Sequence, residues 1–262
     1  MKFSTVRNSQ AYTEIVEQIC DAILKGNLRR GDRLPSERRI AKDTGISRTS
    51  VREALKILTD AGMLEVTPGW GGGTRLVSIS MPAELIGDPI GNDPQLMLQF
   101  YEARNIIEAA AAQLTALRAT PALIRELELT IIEMERLVEE DPDDYQTYFE
   151  IDSHFHRLVI KGSSNSILFD LYVPIMRKLW MVKDSLNVEE FHSYGLPSMK
   201  DFVQAVKARN PEAAAQAIND HVKPLLNLMH HAYENKQAVK SDGAVLQSGG
   251  GDGITTTFSS AS

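Results

Sequence analysis

The chain is short of the residues that build secreted or membrane proteins. Its 262 residues include one cysteine, Cys20, two tryptophans and only 6% aromatics. A single cysteine forms no internal disulfide, so the fold must rest on burial alone, as suits a reducing compartment. Cys20 lies among Ile19, Ile23 and Leu24, which points to a buried structural thiol rather than a reactive one. No apolar run approaches the roughly 20 residues that cross a bilayer. The opening MKFSTVRNSQ lacks the apolar core of a secretory signal. A cytoplasmic protein with no membrane partner is expected.

Positive charge is also scarce: 28 Lys and Arg stand against 35 Asp and Glu, a net charge of −7. The deficit is uneven. Residues 1–80 hold 13 basic and 9 acidic residues, +4, which leaves −7 − 4 = −11 for the rest. A basic end joined to an acidic end suggests two domains with different partners, of which only the first suits nucleic acid.

In AYTEIVEQICDAILK, Ile15, Ile19, Ile23 and Val16, Cys20, Leu24 recur at helical spacing, and Gly26 closes the run. Ser36 can cap a short helix over Glu37–Thr44. Gly45 breaks it, and Ser47 can cap a third helix whose inner face holds Val51, Ala54, Leu55 and Leu58. MLEV and TRLVSI, joined by TPGWGGG, read as a hairpin with a glycine-rich tip. Three helices, a tight turn and a hairpin make a winged helix-turn-helix. Its third helix would offer Arg48, Thr49 and Arg52 from the end that reaches base edges, with Arg38 beside them. Spacing favours DNA binding; the alternative is that these arginines solubilise an ordinary helical hairpin, with Glu37, Asp43 and Glu53 pairing part of the charge.

The stretch LPSERRIAKDTGISRTSVREALKILTDAGMLEV and its glycine-rich wing resemble the DNA-binding domain of GntR-family bacterial transcription regulators, across nearly all of residues 10–78. The resemblance implies DNA contacts from Arg38, Ser47, Arg48, Thr49 and Arg52. Ser50 and, at the wing tip, Gly69 complete the expected set. Trp70 departs from the basic or small residue common at that tip.

Residues 79–95, SISMPAELIGDPIGNDP, have no sustained period and read as a linker. Residues 96–235 then read as helix after helix, an all-α antiparallel bundle. Pro174 is expected to bend or break one of them. Residues 236–262 are expected to be a disordered tail. The whole is mainly α, with a winged helix-turn-helix domain over residues 1–78.

Two features interrupt the bundle's apolar pattern. Tyr148, Ile151, Phe155 and Val159 form a stripe, and Asp152 and His156 lie on or beside it, four residues apart on one face. His221 lies on the stripe of Ala214, Ala217, Ile218 and Val222. One carboxylate and two histidines facing inward are consistent with a divalent metal, though a hydrogen-bonded core pair with a separate histidine is the simpler reading of the residues alone. His154 points to another face and is expected to be exposed. Arg104 either forms an intrahelical pair with Glu108 or faces a pocket. Asn165 reads as a helix-start residue first and a pocket residue second.

FYEARNIIEAAAAQLTA, DSHFHRLVIKGSSN and AINDH resemble landmarks of the FCD-type ligand-binding domain of the FadR subfamily, over residues 95–233. The resemblance implies one Asp and three His around a metal. Asp152, His156 and His221 match three positions, and Met199 stands where the remaining His is expected. The site would be empty of metal, or hold one ion of the zinc, nickel or manganese class with an open position; His192 is a nearby substitute. The resemblance also implies effector contacts from Arg104, Asn165 and Met199. It further implies a homodimeric repressor on a palindromic double-stranded operator, relieved or engaged by a small organic acid. The alternative is a metal-dependent hydrolase fused to a DNA-binding head, for which no general base or nucleophile is evident.

Overall fold

A computed structural model describes residues 10–69, 72–79, 93–180 and 191–248. The head comprises α1 (Gln10–Leu24), α2 (Glu37–Thr44), α3 (Arg48–Asp60), β1 (Leu64–Thr67) and β2 (Gly73–Leu76). Local chemistry sets these boundaries. The Ser36 hydroxyl accepts from the Arg39 N–H at 3.3 Å to start α2, and Ser47 accepts from the Ser50 N–H at 3.1 Å to start α3. Between them Gly45 ends α2 with φ 74°, a left-handed conformation that glycine adopts without strain. The two strands pair antiparallel, with Leu64 opposite Leu76 and Thr67 opposite Gly73. Val51, Ala54, Leu55 and Leu58 are buried against the α1 stripe of Ile15, Val16, Ile19, Cys20, Ile23 and Leu24. The expected winged helix-turn-helix is therefore present. Trp70 lies outside the described residues.

The bundle comprises α4 (Pro94–Arg118), α5 (Pro121–Glu140), α6 (Tyr145–Gly162), α7 (Ser166–Trp180), α8 (Phe191–Lys207) and α9 (Pro211–Ser248). Thr120 and Asn210 cap α5 and α9 ahead of their prolines. Helix α4 packs against α6, α7, α8 and α9, while α5 packs against α6 and α8. Towards its C-terminal end the buried face of α4 is small (Ala111, Ala112, Thr115, Ala116), which lets neighbouring helices approach closely. None of the helices is long and apolar enough to cross a membrane, among the described residues.

Three segments differ from expectation. Helix α7 runs unbroken through Pro174. One missing backbone donor is offset by burial of Tyr172, Val173 and Leu179 on the same helix. Helix α8 begins at Phe191 and carries Pro197 within it, a proline that the reading of residues 96–235 as successive helices did not single out. Helix α9 continues through 236–248, where a disordered tail was expected; Lys236, Gln237, Ala238 and Lys240 are good helix formers and extend it. Residues 249–262, and 80–92 of the linker, lie outside the described residues.

The head is docked on the bundle. One hydrophobic cluster runs from the α1 stripe to Ala111, Ile160, Tyr172 and Val173. Arg177 of α7 reaches across to two carboxylates of α1, Glu17 at 2.8 Å and Asp21 at 3.1 Å. Arg30 meets Glu150 of α6 at 3.6 Å.

Candidate functional site

The head presents an exposed arginine surface. Arg38, Ser47, Arg48, Thr49, Arg52 and Gly69 are exposed and Ser50 is half-buried. Val51, Ala54, Leu55 and Leu58 are consumed by the core, so the opposite face of α3 is left for a partner. Arg38 and Arg48 make no salt bridge among the described residues. Arg52 is different: its guanidinium holds both Glu37 oxygens, at 3.0 to 3.2 Å, from α3 to α2. The hydrogen bonds from Arg52 hold the Glu37 carboxyl below its ordinary range. The Arg39–Asp43 pair, at 2.6 Å, removes a second charge from the same surface.

The bundle holds a buried cluster drawn from four helices. Asp152 and His156 come from α6, Glu108 and Arg104 from α4, His221 from α9 and Ser198 from α8. His221 Nε2 stands 3.1 Å from Asp152 Oδ1, and His156 Nε2 stands 3.6 Å from the same oxygen. The two imidazole rings are 4.9 Å apart. The far nitrogen of each ring faces oxygen. His221 Nδ1 lies 2.9 Å from Ser198 Oγ and 3.2 Å from the Gly195 carbonyl. The Gly195 carbonyl and the ionised Asp152 carboxylate can each only accept, so the ring has an acceptor on both sides, and a cation at Nε2 would leave the proton on Nδ1. His156 Nδ1 approaches Glu108 Oε2 to 3.1 Å, off the axis of a straight hydrogen bond, so the contact is mainly an electrostatic pairing.

The charges explain one another. Burial would raise the Glu108 carboxyl, but Arg104 first and His156 second hold it down at about 2. Asp152 is held well below its usual range by His156 and then His221, again against burial. Both carboxyls are therefore ionised, giving −2 against the +1 of Arg104. Burial opposes a charge on His156, yet Glu108 and then Asp152 drive its pKa up, against the repulsion of Arg104. The cluster thus calls for a further positive charge, and a proton on His156 or a bound cation would each supply it.

The donor set fits a small divalent ion. Asp152, His156 and His221 place one ligand atom each within 4.8 Å of one another. His221 has its second nitrogen hydrogen-bonded to oxygen, the arrangement that orients metal-ligating imidazoles, while the second nitrogen of His156 faces the Glu108 carboxylate.

Other expected residues fall elsewhere. Met199 is fully buried in the hydrophobic core that also contains Phe155, Phe202 and Val222, so the position of the missing histidine is filled by packing. Arg104 is buried and bound to Glu108 at 3.0 Å, the intrahelical pairing. Asn165 accepts from the Ile167 and Leu168 N–H groups at 3.1 and 3.4 Å, which is its helix-start role. The side chain of His192 lies outside what is described. His154 is not exposed as expected: it is half-buried between head and bundle. Burial, reinforced by Arg157, takes its pKa down to about 4, so it is neutral near pH 7.

Sequence reasoning missed three participants. Glu108 was legible only as the partner of Arg104. Ser198 and Gly195 carried no local signal. A Cβ at Gly195 would collide with the Tyr148 hydroxyl, so this glycine permits the close approach of that ring beside His221.

A DNA-reading head joined to a helical sensory domain defines a transcription regulator. Residues 11–74 match "Bacterial regulatory proteins, gntR family", and residues 99–224 match "FCD domain". The chain belongs to the GntR family of bacterial regulators and carries an FCD domain. It is 25% identical over 226 residues to the "Uxu operon regulator" of Haemophilus influenzae, covering 82% of this chain and 80% of that one. It is 24% identical over 227 residues to the "HTH-type transcriptional repressor NanR" of Edwardsiella tarda, covering 82% and 84%. Among solved structures, the fold is like that of Escherichia coli McbR/YncC, with a TM-score of 0.50 at 20% identity over 87% of this chain and 100% of that one. The curated relatives are named as regulators and not as enzymes, which removes the hydrolase alternative.

Proposed function

We propose that the chain is a cytoplasmic, homodimeric repressor of the FadR subfamily. It reads a palindromic operator and is controlled by a small organic acid bound in the bundle. The observation that carries the reading is the two-sided placement of α6. One side brings Asp152 and His156 into the buried cluster. The other brings Glu150 to Arg30 of the head, at 3.6 Å, and His154 and Arg157 into the cleft below it. A ligand that shifts α6 at the cluster acts on the seat of the DNA-binding head. It changes DNA affinity only as far as it binds the two arrangements unequally.

Asp152, His156 and His221 would hold a divalent ion of the zinc, nickel or manganese class. When bound, such an ion supplies positive charge that attracts a carboxylate. Arg104 supplies a fixed second charge if Glu108 yields one of its donors. Dimerisation is supported by exposed apolar side chains on the adjacent helices α4 and α7, where Ile106, Ile167 and Leu171 are 69%, 63% and 53% exposed. Two-fold protein symmetry would impose two-fold operator symmetry.

The test mixes purified protein with fragmented host DNA and sequences what is bound, with Arg48→Ala in parallel. A few palindromic sites, lost in the variant and released by a metabolite of neighbouring genes, are the expected result. Diffuse enrichment, unchanged in the variant, would overturn the reading.

A further inference from the structure

A second polar site lies outside the buried cluster, between the head and the bundle. Helix α1 ends in Lys25, Gly26 and Asn27, and the chain continues to Arg29. Facing them are His154, Arg157, Leu158 and Lys161 of α6, with Glu126 of α5 and Phe169 and Asp170 of α7. These residues line a cleft of about 460 Å³, a volume in the range of small-molecule sites. Its charge is opposite to that of the bundle around it. Lys25, Arg29, Arg157 and Lys161 contribute four cations against two carboxylates, Glu126 and Asp170, a balance of +2 in a chain of net −7.

The cations are weakly compensated. Arg157 is half-buried, yet its hydrogen-bonding partner is His154, at 3.1 Å, and it forms no salt bridge among the described residues. Arg29 and Lys161 are exposed and likewise form none among these residues. Lys25 has only a loose pairing with Asp21, at 3.9 Å. A half-buried guanidinium facing like charges is unfavourable unless an anion joins them. Gly26 lets Arg157 approach the end of α1, since a Cβ there would meet the guanidinium Nε at 3.1 Å. Glycine thus brings a bundle arginine up against the head.

We propose that this cleft binds a small phosphorylated compound that bridges the head and the bundle. Four cations on opposing walls suit an anion with several oxygens spread in three dimensions. Arginine offers its fork and lysine a point charge, the pairing that recurs at phosphate sites. Two of the cations belong to the head and two to α6. Occupancy therefore favours the docked arrangement of the two, and it does so without involving Asp152, His156 or His221.

The experiment is calorimetric titration of the full chain with inorganic pyrophosphate in low-salt buffer, with citrate as the carboxylate counterpart. Wild type is expected to bind pyrophosphate at submillimolar concentration and to gain thermal stability from it. Arg157→Gln should weaken binding about tenfold, the scale of one charge-assisted hydrogen bond. If that variant misfolds, the exposed pair Lys25→Gln and Lys161→Gln serves instead. Lys56→Gln, an exposed α3 residue outside the cleft lining, should bind as wild type does. No binding of pyrophosphate, binding of citrate alone, equal binding by the cleft variants, or loss in Lys56→Gln would each overturn the assignment. None of these outcomes depends on whether the bundle cluster takes an organic acid.

Discussion

His221 and His156 turn their Nε2 atoms toward one oxygen, Asp152 Oδ1, at 3.1 and 3.6 Å. Two imidazoles converge on one ionised carboxylate oxygen, an arrangement that either a proton or a divalent cation would balance. The wild type, loaded with zinc, nickel or manganese and dialysed, is expected to retain about one ion per chain. Asp152→Asn and His221→Ala should fall to background in elemental analysis. Chelation should lower the melting temperature of the wild type and leave that of the variants unchanged. A wild type that retains no ion would make the cluster a proton-balanced structural network.

Arg48 is exposed at the start of α3 and forms no salt bridge among the described residues, so its truncation should not disturb the fold. Arg48→Ala is expected to cost about 1–3 kcal/mol of specific DNA binding, the value of a good arginine–guanine contact. Melting temperature should stay as in the wild type. Electrophoretic mobility shift on an enriched site is the measurement. An unchanged affinity would mean that Arg48 does not read bases.

The Glu37 carboxylate occupies the Nε and Nη2 donors of Arg52 in the free protein, so a contact from Arg52 to DNA would compete with this pair. Glu37→Gln removes both the competitor and a negative charge. It is expected to raise DNA affinity several-fold for all sequences and to flatten the salt dependence little. A weaker complex would show instead that the pair positions Arg52 for contact.

Cys20 is buried in α1, and burial pushes its thiol up to about 12. Tyr101 is likewise pushed to about 12 by burial. Groups raised above their unfolded values contribute stability that is intact below the unfolded pKa and is lost as pH rises through the folded one. For the thiol this window runs from about 9 to about 12. Melting temperature should therefore fall steeply over that window, and less steeply in Cys20→Ala. Ellman's reagent should label Cys20 near neutral pH only after unfolding. Rapid labelling of the native chain would contradict the docked head.

Arg177 joins the two domains through Glu17 and Asp21 of α1. Its side chain is 18% exposed, so the pairs are better shielded than surface ones. Arg177→Met is expected to cost about 1–3 kcal/mol, since Asp21 is left partly buried without its partner. Calorimetric unfolding should then separate into two transitions, with the head melting first. A single transition at the wild-type temperature would assign docking to the apolar contacts alone.

Much of the head was legible in the chain because its signals are local. Ser36, Gly45 and Ser47 act within a turn of their own positions, and the α3 stripe needs only its own period. The inward placement of Asp152, His156 and His221 was legible for the same reason, since each sits on an apolar stripe. The continuation of α9 past residue 235 was not, because a polar composition permits helix and coil alike. The α7 proline was misleading for a related reason: local cost was outweighed by burial of neighbouring side chains.

By itself the sequence determined the helices, their caps, their buried faces and the family. These follow from periodicity and backbone chemistry within a few residues. Only the tertiary structure decided which polar groups meet. Asp152 and His221 are 69 positions apart, and Ser198 reaches His221 from another helix. Glu108 turned from a helix-surface partner into the counter-charge of His156 once α4 packed on α6. The cationic cleft likewise exists only because α1 docks over α6, bringing together charges that are solvated and unremarked along the chain. Side chains on different helices have no common period, so their encounter depends on packing geometry.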